Sequence, residues 1–240
     1  MKIFLTILAL IIISQSHAQQ KQTIRPGDPI LRSDLIRSSH IFYKSFTTDS
    51  LGNINNQWVN DDVITVDSAA GHIVFARCRQ VPVGSYSTDT SITDLSFKPI
   101  WMHEVHYKQN VSFVMDFGAT NATVQTNRRG ALSDKSYPMK SGYFEDNMIE
   151  YVYSYLDLKK GQTYILDNFN KDTPSPSDPV KIEYAFDDIL SLPAGNLLNC
   201  QVLHFIHGSA SGYIWVDKET RQMVKEVENA SWGTFSATRI

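Results

Sequence analysis

Hydrophobic and polar positions alternate along most of this chain with a period of two, which predicts strands. Ile189 to Glu228 is the most explicit stretch. Leu192-Pro-Ala-Gly195 has turn chemistry and leads into Cys200 to His207. Gly208-Ser-Ala-Ser-Gly212 reverses the chain into Tyr213 to Val216, and Asp217-Lys-Glu-Thr-Arg221 reverses it again into Met223 to Val227. Apolar runs rich in β-branched and aromatic residues, separated by turn residues, describe an antiparallel meander. Just before it, Val180, Ile182, Tyr184 and Phe186 alternate with Lys181, Glu183, Ala185 and Asp187, so one face of the sheet is apolar and the other wet.

The same reading predicts strands at Ile41 to Phe46, Val63 to Asp67, Ile73 to Cys78, Gly84 to Tyr86, Trp101 to Tyr107, Val111 to Phe117, Thr123 to Thr126 and Thr163 to Phe169. Leu51 to Asn56 and Lys171 to Pro179 read as loops, the second because its prolines cannot donate to a ladder. Short strands at this spacing describe a sheet that curls into a sandwich or barrel. Two segments break the period. Asp28-Pro29 resembles an N-cap and first helical position, with Ile30, Leu31 and Leu35 on one side of a short helix. Across Phe144 to Leu158, Phe144, Met148, Ile149, Val152, Tyr155 and Leu156 recur at helical spacing, and Lys159-Lys160-Gly161 supplies a cationic last turn and a left-handed cap. The apolar face of this helix must cover the sheet.

Length and composition set the class. With 240 residues, 42% hydrophobic and 20% charged, the chain has ordinary globular composition for one sizeable domain. The opening MKIFLTILALIIISQSHA joins Lys2 to a short apolar run and a small-x-small end, which describes a secretory signal peptide cleaved after Ala18. A membrane-spanning helix needs about 20 apolar residues, more than this run offers. The expected domains are therefore a signal peptide over 1–18 and a single β-rich domain over 19–240. No cysteine near the cleavage point could accept a lipid. The formal charge of −3, without a basic block, disfavours nucleic acid and anionic lipid surfaces.

Chemical motifs are few. Cys78 and Cys200 are the only cysteines; in an exported protein they could pair, and two separately buried small hydrophobes are the better-supported alternative. His103-Glu-Val-His106 and His204-Phe-Ile-His207 both read H-x-x-H, but on strands residues three apart point to opposite faces and cannot chelate as a pair. No metal or cofactor is expected. Gly208 to Gly212 has Ala210 where a nucleophile elbow needs Ser, and it joins two strands. Glu145, Asp146 and Glu150 are acids where a helix start favours them.

Several of these pieces resemble one family. Phe97-Lys-Pro-Ile100, Gly142-Tyr-Phe-Glu-Asp-Asn147, Leu156-Asp-Leu-Lys-Lys-Gly161, Leu192-Pro-Ala-Gly195 and Trp215-Val-Asp-Lys-Glu-Thr-Arg-Gln-Met-Val-Lys225 occur in matching order. They resemble an exported bacterial domain of unknown function, number 3108, whose members look like the open half-barrel of periplasmic lipoprotein-sorting carriers. Where members usually carry Leu-Pro, this chain has Leu156-Asp157. The resemblance implies a mainly β fold: a single curved antiparallel sheet, an open half-barrel, with one principal amphipathic helix packed against it. It implies no activity. Two function classes follow: a periplasmic, non-catalytic binding or carrier module holding an apolar or amphipathic, lipid-like ligand in the concavity, or a scaffold for an envelope protein partner. Tyr143, Tyr151, Tyr153, Tyr155 and Tyr164 cluster around the helix. Tyrosine commonly lies at the boundary between core and water, ring buried and hydroxyl wet. The alternative is a groove between helix and sheet, for which Tyr151, Tyr155 and Trp215 are the expected ligand-binding residues.

Overall fold

A computed structural model describes residues 21–81, 86–139, 142–171, 179–193 and 195–240. The expected signal peptide lies outside the described residues. Seventeen strands follow in chain order: β1 (Gln22–Ile24), β2 (Ser39–Thr48), β3 (Ile54–Asp67), β4 (His72–Gln80), β5 (Tyr86–Asp94), β6 (Pro99–His106), β7 (Val111–Phe117), β8 (Asn121–Arg128), β9 (Ala131–Pro138), β10 (Phe144–Glu145), β11 (Thr163–Leu166), β12 (Asn168–Phe169), β13 (Val180–Ser191), β14 (Leu197–His207), β15 (Ala210–Asp217), β16 (Met223–Ala230) and β17 (Gly233–Arg239). Fifteen of them form one unclosed sheet, in the order β1-β11-β13-β14-β15-β16-β17-β2-β3-β4-β5-β6-β7-β8-β9, while β10 and β12 pair by themselves. Pairing is antiparallel throughout the large sheet except between β1 and β11.

Two meanders, β2 to β9 and β13 to β17, make most of this sheet, and β11 and β1 continue it beyond β13. The meanders join where β17 pairs with β2, from Thr234 against Thr48 to Arg239 against Tyr43. The sheet curls around its contents: Val180, Ile182, Leu203, Phe205, Ile214, Val216, Ala237, Tyr43, Ile64, Ile73 and Phe75, drawn from strands across the sheet, belong to one buried cluster. A sheet curved in this way has a concave face to fill, and the chain fills it with its own short helix. A second cluster of Met102, Met115, Ala122, Val124, Tyr143 and Phe169 closes the β6 to β9 end.

The helix differs from its expected form. Instead of running from Phe144 to Leu158, it is a 3-10 turn at Asp146–Met148 followed by α1, Ile149–Ser154. Phe144–Glu145 is spent pairing with β12, and Leu156 bridges Leu31, so both flanks are extended. The residues on its expected apolar side are buried as predicted, with Val152 fully so, but Tyr151, Tyr153 and Ser154 are buried as well. Helical spacing anticipates one covered face; this helix is surrounded because it lies inside the concavity. Gly161 does take the left-handed conformation (φ 77°), but in the turn before β11, not as a helix cap.

The Asp28-Pro29 segment forms turns, with a 3-10 turn only at Ser33–Leu35. The Asp28 carboxylate accepts from the Arg25 N–H three residues back (2.8 Å) and so closes a turn in place of capping a helix. Leu51 to Asn56 is loop only as far as Asn53, because β3 begins at Ile54.

Candidate functional site

Partners in an antiparallel ladder face the same side of a sheet. The register therefore places Asp62 of β3, Arg77 of β4, Asp89 of β5 and Glu104 of β6 in one row across the concave face. All four are buried. The Arg77 Nε and Nη2 groups donate to the two Asp62 oxygens, each at 2.9 Å, and Nη1 donates to Glu150 Oε2 at 2.8 Å. Tyr151 Oη donates to Asp62 Oδ2 at 2.9 Å, with the Arg77 guanidinium 5.1 Å from the centre of the Tyr151 ring. Two consecutive helix residues thus grip one salt bridge, fixing the register of α1 against β3 and β4. At the far end of the row, Lys171 Nζ (2.8 Å) and His106 Nε2 (2.6 Å) meet Glu104.

Burial divides the carboxyls of this belt. Desolvation works against the charge of Glu104, but Lys171 and His106 outweigh it and hold the group below the usual carboxylate range. Desolvation pushes Asp89 up to about 6 despite Arg77 and Arg79. It pushes Glu145, which accepts from Ser91 Oγ at 2.5 Å and from the Asn147 N–H at 2.8 Å, up to about 8. Glu226, on the concave side of β16, is raised well above its ordinary value by burial and then by neighbouring Glu150 and Glu228. Among the described residues its Oε2 has no hydrogen-bond partner.

The three expected ligand residues separate. Tyr151 and Tyr155 do meet on the concave side, where they line a space with Tyr43, Ile64, Arg77 and Ser154. That space is only about 10 Å³, room for no more than a single water. Tyr151 stacks on Phe75 (centroids 4.9 Å apart) and Tyr155 packs on Phe97 (5.8 Å), so both rings fill the interior and line no opening. Burial pushes the Tyr155 hydroxyl up to about 12. Trp215 lies on the opposite face. Its neighbours Ile214 and Val216 point into the core, so the strand period turns Trp215 outward, where Nε1 donates to Asp188 Oδ2 at 2.9 Å and Lys225 Nζ sits 4.8 Å from the ring centre.

Both cysteines are free, which corrects the disulfide alternative. The sheet order sets β4 and β14 six strands apart, and Cys200, pushed up to about 11 by burial, lies buried on its own strand. The H-x-x-H pairs split as strand geometry requires. His106 meets Glu104 on the concave face while His103 packs beside Trp101 on the other. His204 Nδ1 lies 3.0 Å from Glu183 Oε1 on the outer face while His207 aligns with buried Val180. Among the described residues no group of three or more His, Cys, Asp or Glu side chains is placed to hold a metal ion.

The open part of the concave face lies beyond the helix. One step along the strands from the charged row, the register aligns Asn60, Arg79, Ser87 and His106. Here a groove of about 420 Å³ is lined by Asn56, Trp58, Arg79, Val81, Ser87, His106, Tyr107, Lys108 and Gln109. Trp58 stacks on Phe235 of β17, with centroids 5.8 Å apart. Lys108 stands in the tight β6–β7 turn, where Asn110 takes a left-handed φ of 50°. Sequence reasoning missed this site. A signal was present in Phe75-Ala-Arg-Cys-Arg79, where the core-facing positions of β4 change from apolar to cationic.

Residues 45–238 match the model of a family described as "Protein of unknown function (DUF3108)". The chain belongs to this family. As a DUF3108 domain it is similar to the crystal structure of a β-barrel-like protein of the domain of unknown function DUF1849 from Brucella abortus. The TM-score is 0.52 at 7% identity, covering 85% of this chain and 95% of the other. At that identity the likeness is one of fold. No curated protein matches the chain. Among the described residues no helix is long and apolar enough to cross a membrane.

Proposed function

We propose that this DUF3108 domain is an exported, non-catalytic binding module whose ligand occupies the uncovered end of the concave face. The observation that carries the reading is the contrast between two parts of one surface. Beneath α1 the interior is filled to within about 10 Å³, whereas beside Trp58 and Arg79 about 420 Å³ stays open, within the range of small-molecule sites. The expected site thus moves from Tyr151 and Tyr155 to the mouth of the half-barrel. An aromatic wall with polar groups at one end suits a small amphipathic molecule. The periplasm is the compartment that the N-terminal sequence supports.

Native mass spectrometry of the purified protein tests this reading: a co-purified small molecule that is lost on Trp58→Ala supports it. Ligand that stays bound in that variant, or a protein that takes up no amphiphile, refutes it. A scaffold role is the second reading. It is favoured by the β13–β14 hairpin, where β11 pairs only with Val180 to Glu183. Beyond them no described strand pairs with the outer edge of β13, and Phe186, Ile189 and Leu197 are exposed, a surface suited to strand addition. A stoichiometric envelope protein that co-purifies with the parent and is lost on Ile189→Lys would favour this role over the first.

A further inference from the structure

We infer that the groove selects an amphipathic ligand with an anionic head group, bound by the Arg79 guanidinium with its apolar part along the Trp58 ring. This rests on the groove reading and narrows it to a ligand class. Arg77 and Arg79 share a strand and a face, yet their surroundings differ. Arg77 is buried and spends three donors on Asp62 and Glu150. Arg79 is half-buried, borders open space, and has no hydrogen bond or ion pair among the described residues. A guanidinium carries five N–H donors in a planar fork that matches carboxylate or phosphate oxygens. Half-withdrawn from water and without an acceptor among the described residues, this fork is unspent. Lys108, exposed on the rim and likewise without a partner among the described residues, adds a second cation.

The acids that face Arg79 set the terms of binding. Asp89, Glu150 and Glu226 all interact with it through space. Glu150 is already paired with Arg77, and burial raises Glu226 well above its ordinary value and so weakens its claim on the guanidinium, which leaves Asp89 as the main competitor. Net charge alone therefore does not draw the anion; direct hydrogen bonds from the fork do. Glu104, next in the row, is committed to Lys171 and His106. A cationic head group would meet Arg79 and Lys108 at the mouth and lose.

Isothermal titration of the purified protein with octanoate, octyl phosphate, octanol and octylammonium tests the assignment, with acetate and inorganic phosphate as head-group controls. The two octyl anions are expected to bind about tenfold or more tightly than octanol, and octylammonium least. Arg79→Gln should erase that margin by weakening the two octyl anions far more than octanol. Lys108→Gln, on an exposed turn where it cannot disturb the fold, should reduce the margin by a smaller factor. The order of octanoate and octyl phosphate tells a carboxylate source from a phosphate source. Octanol binding as tightly as the anions, or a margin that survives Arg79→Gln, overturns the anion assignment and leaves the groove reading standing. Acetate or phosphate binding as well as the octyl forms overturns its amphipathic part. If nothing binds, octanol included, the groove reading itself falls.

Discussion

Replacing Glu145 with Gln should stabilise the protein at neutral pH and flatten its loss of stability toward pH 8. Glu145 is fully buried, and both of its oxygens accept hydrogen bonds, from Ser91 and from the Asn147 N–H at the entry to the helix. Desolvation, and to a lesser degree Asp146 and Asp89, raise this carboxyl from 4.5 to about 8. Below the ordinary value the group is protonated in both states and costs nothing. Between the ordinary and the raised value the unfolded chain gives up the proton while the folded chain keeps it, so stability falls as pH rises. Each unit within that window is worth about 1.4 kcal/mol, giving an upper limit of about 3 kcal/mol at pH 7. Gln is neutral throughout, and its amide can accept from Asn147 and donate to Ser91 Oγ. Urea melts of both proteins at pH 5, 6, 7 and 8 should show the variant gaining by roughly 1 kcal/mol per unit. Asp89 is present in both proteins, so the difference reports Glu145 together with its coupling to Asp89. A gap that stays constant with pH, or a variant less stable at every pH, would show that Glu145 is ionised in the folded state and the reasoning wrong.

Arg77→Met should destabilise the fold by about 3–5 kcal/mol, because it strands Asp62 as a buried charge; a change below about 1 kcal/mol in urea melts would contradict the buried pairing. Val152→Asp places a charge at a fully buried position and should cost several kcal/mol, visible as a lowered midpoint or as loss of folded protein. Thiol titration should find two reactive groups in urea without prior reduction, with Cys200 slow in the native state; fewer than two would show that the cysteines pair after all.

The fold was more legible than the site, for reasons that particular strands make plain. Along β15 and the start of β13 buried residues alternate with more exposed ones, so their period is written in the chain. β5 runs Tyr-Ser-Thr-Asp-Thr-Ser-Ile-Thr-Asp, and its inward positions Asp89, Ser91 and Thr93 are buried but polar. A strand that faces a charged belt shows no hydrophobic alternation, and only its start was anticipated. β9 is exposed along nearly its whole length and carries no such signal either. Glu150 reads as an acid favoured by a helix start, whereas the structure gives it Arg77, from a strand 73 residues away in sequence. Trp215 misled because an aromatic residue in a strand is equally at home on either face, and only the register chooses.

The seam between β17 and β2 sets a condition on how the protein is made. A chain is synthesised from its N-terminus, so β2 emerges early and must wait for its permanent neighbour until β17, Gly233–Arg239, has been made. Until then the two meanders are tethered but unjoined. One edge of β2 is bare, and Ile41 and Tyr43 lack the lining that the other meander brings to the common core. Non-local pairing of this kind is slow and leaves incomplete chains open to association with one another. A nascent chain, a premature stop or a clipped tail would therefore expose the same surface. Quality control that recognises an unfilled strand edge could distinguish a molecule with β17 in place from one that lacks it.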